Sequence, residues 1–271
     1  MCTLILVYKV LDGFPVVLAE NRDAHLKSVE VPPAKVSVHP KTYAAIDERS
    51  GGTWFGVNEF GVALGLTNLH SMTDAIKPTG SRGQLCLEAL KQPSARDVFG
   101  YLHDVYEFER YAKVNILGVD ESDAILTMCD EEITSVEFDC GIHVLTNYNL
   151  AHCPETVKEV DLRIDSEHRR TRACELVEEY GLKDVGDMEE MVDILETILS
   201  DHVKSDHNRG TKYKQYFTIC CHGNEQYPWR TTSSSIVALS DKGIGKSRYW
   251  YCAGNPCESD NEYIEYSQIF K

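Results

Sequence analysis

A chain of 271 residues that is 42% hydrophobic and 26% charged has ordinary globular composition and length enough to bury a sizeable core. Its 27 basic against 43 acidic side chains give a net charge of -16 and a pI of about 5.0, which argues against nucleic acid or an anionic membrane as partner. No basic n-region with an apolar h-region opens the sequence and no apolar run approaches the roughly 20 residues of a membrane span, so the expectation is a cytoplasmic protein.

Two apolar runs, Thr3 to Val10 and Phe14 to Ala19, flank Asp12-Gly13, a strong hairpin signal. A two-residue turn there pairs Leu11 with Phe14, which in an unbroken ladder sets Cys2 opposite Asp23 at a non-hydrogen-bonded site. That register predicts the Cys2 and Asp23 side chains on one face, Cβ atoms about 5 Å apart, and sends Arg22 to the other. It also makes both faces apolar, with Leu4, Leu6 and Val17 on one and Ile5, Val7, Val16 and Leu18 on the other. A sheet covered on both sides implies layers of helix, sheet, sheet and helix.

After a polar loop, Ala24 to Pro33, strand patterns are read at Ala34 to Val38 and Tyr43 to Asp47. Thr53 to Val57 and Val62 to Thr67 form a second hairpin around Asn58-Glu59-Phe60-Gly61. Ser81-x-x-Gln84 is a capping box opening a helix to about Lys91. A second helix from about Ala95 carries the stripe Val98, Tyr101, Leu102, Val105 and Tyr106. Strands at Lys113 to Val119, Ala124 to Met128, Ser135 to Asp139 and Ile142 to Tyr148 read as an antiparallel meander. Thr156 to Tyr180 is helical, with a charged middle that could hide a break, and Met188 to Leu199 is a helix N-capped by Asp187. Val203 to Lys212 reads as a loop. Strands follow at Tyr216 to Cys221, Ser235 to Leu239, Arg248 to Ala253 and Tyr263 to Phe270. The order of elements is α+β, without the alternation of a parallel doubly wound sheet, and nothing divides residues 1–271 into more than one domain.

The ten cysteines form no CxxC pairs and are expected to be free thiols. Neither Cys220-Cys221 nor Cys252-x4-Cys257 has a partner at ligand spacing, so neither a metal nor a cofactor is expected. Cys2 carries chemistry of a different kind. A small residue after the initiator methionine favours removal of Met1, which leaves thiol and α-amine on one residue. Their reference pKa values, about 8.5 and about 7.7 to 8.0, let the amine serve as the thiol's own base. Asp23 is then placed to orient that amine. A buried apolar cysteine at a strand start is the plainer alternative.

Cys2 with the following strand and Asn21-Arg22-Asp23 resembles the N-terminal-nucleophile hydrolases, in particular the family named for its Asn-Arg-Asp-Glu motif, whose relatives include choloylglycine hydrolases and penicillin-precursor acyltransferases. GGTWFGVNEFGVALGLTN is similar to that family's second hairpin and IHVLTN to a later strand. SDH at residues 200–202, ICCHG and TTSSSIV resemble the acyltransferase branch, the peptidase C45-like proteins. The resemblance implies a four-layer αββα sandwich of two mainly antiparallel sheets. It makes Cys2 the nucleophile, with Asp23 bonded to its amine, and forms the oxyanion site from the Asn147 side chain and the Asn68 backbone. Arg169 would lie near the nucleophile, with Arg170 and Arg172 as alternatives. Asn21, Arg22 and His222 would stand behind these groups, although histidines such as His222 and His202 are more often satisfied core or surface residues than catalysts. Glu is missing after Asp23, where the sequence has Ala24, and choloylglycine hydrolases have arginine where this chain has Glu20. The implied activity is amide cleavage or acyl transfer on a small-molecule substrate, without cofactor, and it is compatible with a homo-oligomer. The competing expectations are a catalytically silent member binding a lipid or another small molecule, as in members linked to lipid or haem handling, and a structural or redox role for the thiols.

Overall fold

The computed structural model of the protein describes residues 2–69, 78–149, 160–204, 218–223, 225 and 228–271. Two antiparallel sheets face each other between two helical layers, the expected α+β sandwich. The first sheet has six strands in the order β10-β1-β2-β11-β12-β13, with β1 at Thr3–Leu11, β2 at Phe14–His25, β10 at Gly141–Thr146, β11 at Trp229–Leu239, β12 at Arg248–Ala253 and β13 at Ile264–Glu265. The second has seven in sequence order, β3 (Glu30–Val38), β4 (Lys41–Asp47), β5 (Phe55–Asn58), β6 (Ala63–Asn68), β7 (Val114–Val119), β8 (Ala124–Cys129) and β9 (Ile133–Glu137).

Helix α1, Arg82–Ala89, begins where the Ser81 hydroxyl accepts from the Gln84 amide, and α2, Ala95–Val105, where Ser94 accepts from Asp97; both cover the seven-stranded sheet. Helices α3, Val160–Glu179, and α4, Met188–Leu199, cover the other sheet. Asp187 caps α4, and Met191, Leu195, Ile198 and Leu199 of its apolar stripe are fully buried, each stabilising by about 1.5–3 kcal/mol.

The first hairpin departs from the expected register. Leu11 pairs with Phe14, but Tyr8 pairs with Val16 and Thr3 with Asn21, because a bulge lies between Tyr8 and Leu11 where Lys9 takes a φ of 55°. One inserted residue exchanges the faces of one strand relative to the other. Leu4, Leu6, Val16 and Leu18 therefore pack between the sheets, whereas Ile5, Val7, Val17 and Ala19 meet α3 and α4. Extended to its end, this register sets Cys2 opposite Arg22 rather than Asp23.

Other boundaries differ for local reasons. The expected loop Ala24 to Pro33 is taken up by the end of β2 and the start of β3, whose Pro32 and Pro33 are tolerated because β3 is an edge strand with slipped pairing. The meander stops at β9, and β10 crosses to the other sheet to pair with β1. Thr218 to Cys221 is not a strand, and the expected strand Tyr263 to Phe270 is only β13 followed by a 3-10 turn over Ser267–Phe270. Helix α3 runs unbroken through its charged middle. The expected helix start at Thr156, Tyr216, Cys153 and most of Val203 to Lys212 lie outside the described residues.

Candidate active site

Strand ends and one helix meet at Cys2. Cys2 sits at the start of β1, 3% exposed, and its backbone N–H donates to Asn147 Oδ1 at 2.9 Å. Asn147 follows β10 and is fully buried; its Nδ2 donates to the Asn68 carbonyl at the end of β6, and its own carbonyl accepts from Asn115 of β7 at 2.8 Å. The two sheets are thus stitched together at this point. Helix α3 is fixed over the same spot because Ser166 Oγ lies 2.6 Å from Thr146 Oγ1 and accepts from the Tyr148 amide at 3.0 Å. One turn on, Arg169 is 1% exposed; its Nη2 donates to Asn147 Oδ1 at 3.3 Å and its Nη1 to Asp23 Oδ2 at 3.4 Å. Asp23 Oδ1 accepts from Thr231 Oγ1 of β11 at 2.7 Å.

Of the three candidate arginines, Arg169 is the one at this junction, since Arg170 pairs with Glu167 and Arg172 with Asp201. Asp23 and Cys2 are brought together differently from expectation. The Asp23 carboxylate turns towards α3, while the Cys2 thiol lies with Glu20, which touches the inter-sheet core beside Gly65. Arg22, expected on the far face, lines the same cleft as Cys2, joined to Glu30 and to Asp47 at 2.5 Å with its guanidinium 3.9 Å over the Trp54 ring. The bulge at Lys9 is the cause of both corrections. Asn21 Nδ2 ties β2 to the Leu199 and Ile219 carbonyls at 2.8 and 2.9 Å, behind the site. His222 and His202 are not at this junction, and their rings lie 5.7 Å apart near Cys257.

A cleft of about 510 Å³ opens over Cys2, walled by Trp54, Leu66, Asn68 and Trp229 and carrying Arg49 and Arg82. Two participants were not singled out as site residues from sequence. Thr231, in a Thr/Ser run, orients Asp23. Glu20 is fully buried, its two oxygens have no conventional hydrogen-bond partner among the described residues, and the Cys2 thiol, Arg22 and the Leu66 backbone favour its charged form. A lone charge inside the run PVVLAENRD is the signal that marks it.

Burial dominates the electrostatics. It pushes the Cys2 thiol up to about 12, with the Asp23 backbone amide pulling the other way. Burial likewise raises Glu20 well above the usual carboxylate range, against the Cys2 contact and Arg22. Asp23 is raised by burial too, and the terminal ammonium, Arg169 and the Thr231 hydroxyl oppose the rise.

The family described as Transport and Golgi organisation 2 matches residues 1–249. No curated protein matches the sequence significantly. Among solved structures, a conjugated bile acid hydrolase from Clostridium perfringens aligns with a TM-score of 0.58 at 13% identity, over 100% of this chain and 94% of that one. Penicillin V acylase from Agrobacterium tumefaciens gives 0.54 at 13% identity over 99% and 87%. An N-acylethanolamine-hydrolyzing acid amidase ortholog from Caenorhabditis elegans gives 0.50 at 10% identity over 97% and 100%. At these identities the likeness is one of fold, the αββα sandwich of the N-terminal-nucleophile hydrolases.

Proposed function

The chain belongs to the Transport and Golgi organisation 2 family, and on that premise we propose that it is an N-terminal-nucleophile amidohydrolase or acyltransferase acting on a linear amide. Cys2, laid bare by removal of Met1, is the nucleophile. The observation that carries this reading is the bond from the Cys2 nitrogen to Asn147 Oδ1, an oxygen also held by Arg169. Any amine created at Cys2 is thereby gripped at a fixed position beside its own sulfur.

In the reaction the amine takes the thiol proton and the thiolate attacks the amide carbonyl. The bond to Asn68 occupies one hydrogen of the Asn147 amide and orients the group, leaving the other hydrogen to stabilise the oxyanion. Collapse expels the amine, which takes its proton from the Cys2 ammonium. Water or an acceptor amine then attacks the thioester, giving its proton back to the Cys2 nitrogen. Burial, which raises this thiol, makes the first proton transfer to the α-amine uphill.

The enclosed, high-pKa thiol favours one other reading, a small-molecule binding protein that uses the cleft without chemistry. Turnover separates the two. Purified protein with its amino terminus sequenced is incubated with a panel of N-acyl amides, beside Cys2→Ala and the exposed-cysteine control Cys140→Ala. Hydrolysis by wild type and Cys140→Ala, lost in Cys2→Ala, supports the enzyme. Binding of the panel with no turnover and Met1 retained supports the second reading.

A further inference from the structure

Away from the cleft, three segments that are distant in sequence converge on a set of soft ligands. Cys220 and His222 lie between α4 and β11, Cys257 lies after β12, and His202 follows the end of α4. One ligand atom each from His202, His222 and Cys257 lies within 4.8 Å of the others. His222 Nε2 is 3.0 Å from Cys257 Sγ, and Cys220 Sγ is 3.4 Å from the same sulfur. We infer that Cys220, Cys257, His222 and His202 form a site for one borderline-soft divalent cation, zinc foremost. A tetrahedron with Zn–S near 2.3 Å and Zn–N near 2.0–2.1 Å has edges of about 3.3–3.8 Å, so the His222–Cys257 and Cys220–Cys257 separations open by about half an ångström or less, while Cys220, which lies outside the set of atoms within 4.8 Å of one another, moves towards the two histidines to complete the four. All four groups are uncharged or anionic donors of the type such an ion takes, and four protein ligands make the site structural rather than catalytic.

The surroundings fit a ligand set. His202 Nδ1 lies 3.2 Å from the Ser200 carbonyl, which holds the proton there and leaves Nε2 with its lone pair for the ion. Asn255 Nδ2 is 3.4 Å from Cys220 Sγ, a donor to the sulfur that suits a thiolate, and 2.8 Å from the Cys221 carbonyl. An ion here would pin residues 218–222 against the loop after β12. The neighbouring Cys221 amide donates to Thr231 Oγ1 at 2.8 Å, and that hydroxyl donates to Asp23. The cation would thus brace the partner of Asp23, although the site stands whether or not Cys2 is catalytic.

The test uses the full chain purified under reducing conditions, its metal content measured, and the chelated protein titrated with cobalt(II). About one zinc per chain is expected, with cobalt giving tetrahedral d–d bands and thiolate charge transfer. His202→Ala, at an exposed position, and Cys257→Ser are each expected to weaken cobalt binding by at least about tenfold while circular dichroism stays that of the parent. The inference is overturned by a protein that carries no metal and takes up no cobalt, by variants that bind it as tightly as the parent, or by Cys220 and Cys257 recovered as a disulfide from reduced protein.

Discussion

Arg22→Met tests whether the motif arginine is a structural hub of the cleft. Its guanidinium serves two carboxylates, Glu30 and Asp47, whose side chains are 6% and 16% exposed, and it stacks on Trp54. Methionine keeps the contact with Trp54 but leaves both carboxylates facing each other in a nearly closed site. Removing one partner of a buried pair costs about 3–5 kcal/mol, which for 271 residues is a fall in Tm of about 5–9 °C. The loss has a pH signature. Burial would raise Asp47, but its bonds from Arg22 and the Ser50 amide outweigh that and hold it below its usual value. That depressed value contributes stability present above the unfolded pKa of about 3.9 and lost as pH falls through the folded value. The gap between wild type and Arg22→Met is therefore widest at neutral pH and narrows below about pH 4. Urea unfolding of both proteins across pH 3.5 to 7.5, a range set by about the unfolded carboxylate pKa at its lower end, measures it. A gap below about 1 kcal/mol at neutral pH, the ordinary worth of a surface pair, or one that does not narrow in acid, refutes the reasoning.

Two further perturbations follow from packing and charge. A Cβ on Gly52 would lie 2.2 Å from the Gly83 carbonyl carbon, so Gly52→Ala forces the start of α1 back and costs about 1–3 kcal/mol or more. Gly83→Ala meets Gly52 only at 3.3 Å and gains helix propensity, so its thermal midpoint stays near that of wild type; equal losses would contradict the contact. Burial raises Glu20 above its unfolded value, so its stabilising contribution is complete below the unfolded value of about 4.3 and is lost as pH rises through the folded one. Glu20→Gln removes that loss, and its urea midpoint is expected to gain on wild type as pH climbs from acid to alkaline; parallel curves would contradict a raised Glu20.

The layers and most of the elements were legible because their signals are local: an Asp-Gly turn, the Ser81 and Asp187 caps, and the stripes of α2 and α4. Register was not. With apolar residues on both faces of β1 and β2, a slip of one residue leaves the hydrophobic pattern intact, and the exposed Lys9 that absorbs it carries no mark in the sequence. The strand read from Ser235 begins at Trp229, with Ser233, Ser234 and Ser235 buried against neighbours. Tyr263 to Phe270 alternates like a strand, yet beyond Glu265 the chain turns to tuck Phe270 against Tyr43. In the site, Asp23 was reached from the hairpin register and Asn68, Asn147 and Arg169 from resemblance; the structure brings them within one bonded network, which Asn68 enters through its carbonyl rather than the expected N–H. Cys220, His222, Cys257 and His202 escaped spacing rules because three segments supply them, and only folding brings them together.

Whether Cys2 is an amino-terminal nucleophile is tested most directly by the mass of its own peptide. Protein quenched in acid during incubation with an N-acyl amide substrate is digested, and the amino-terminal fragment is weighed. The account predicts a fragment beginning at Cys2 that carries the acyl group and loses it to hydroxylamine, as a thioester does. A fragment that still begins with Met1, or one that never gains the acyl mass while substrate is consumed, would contradict it.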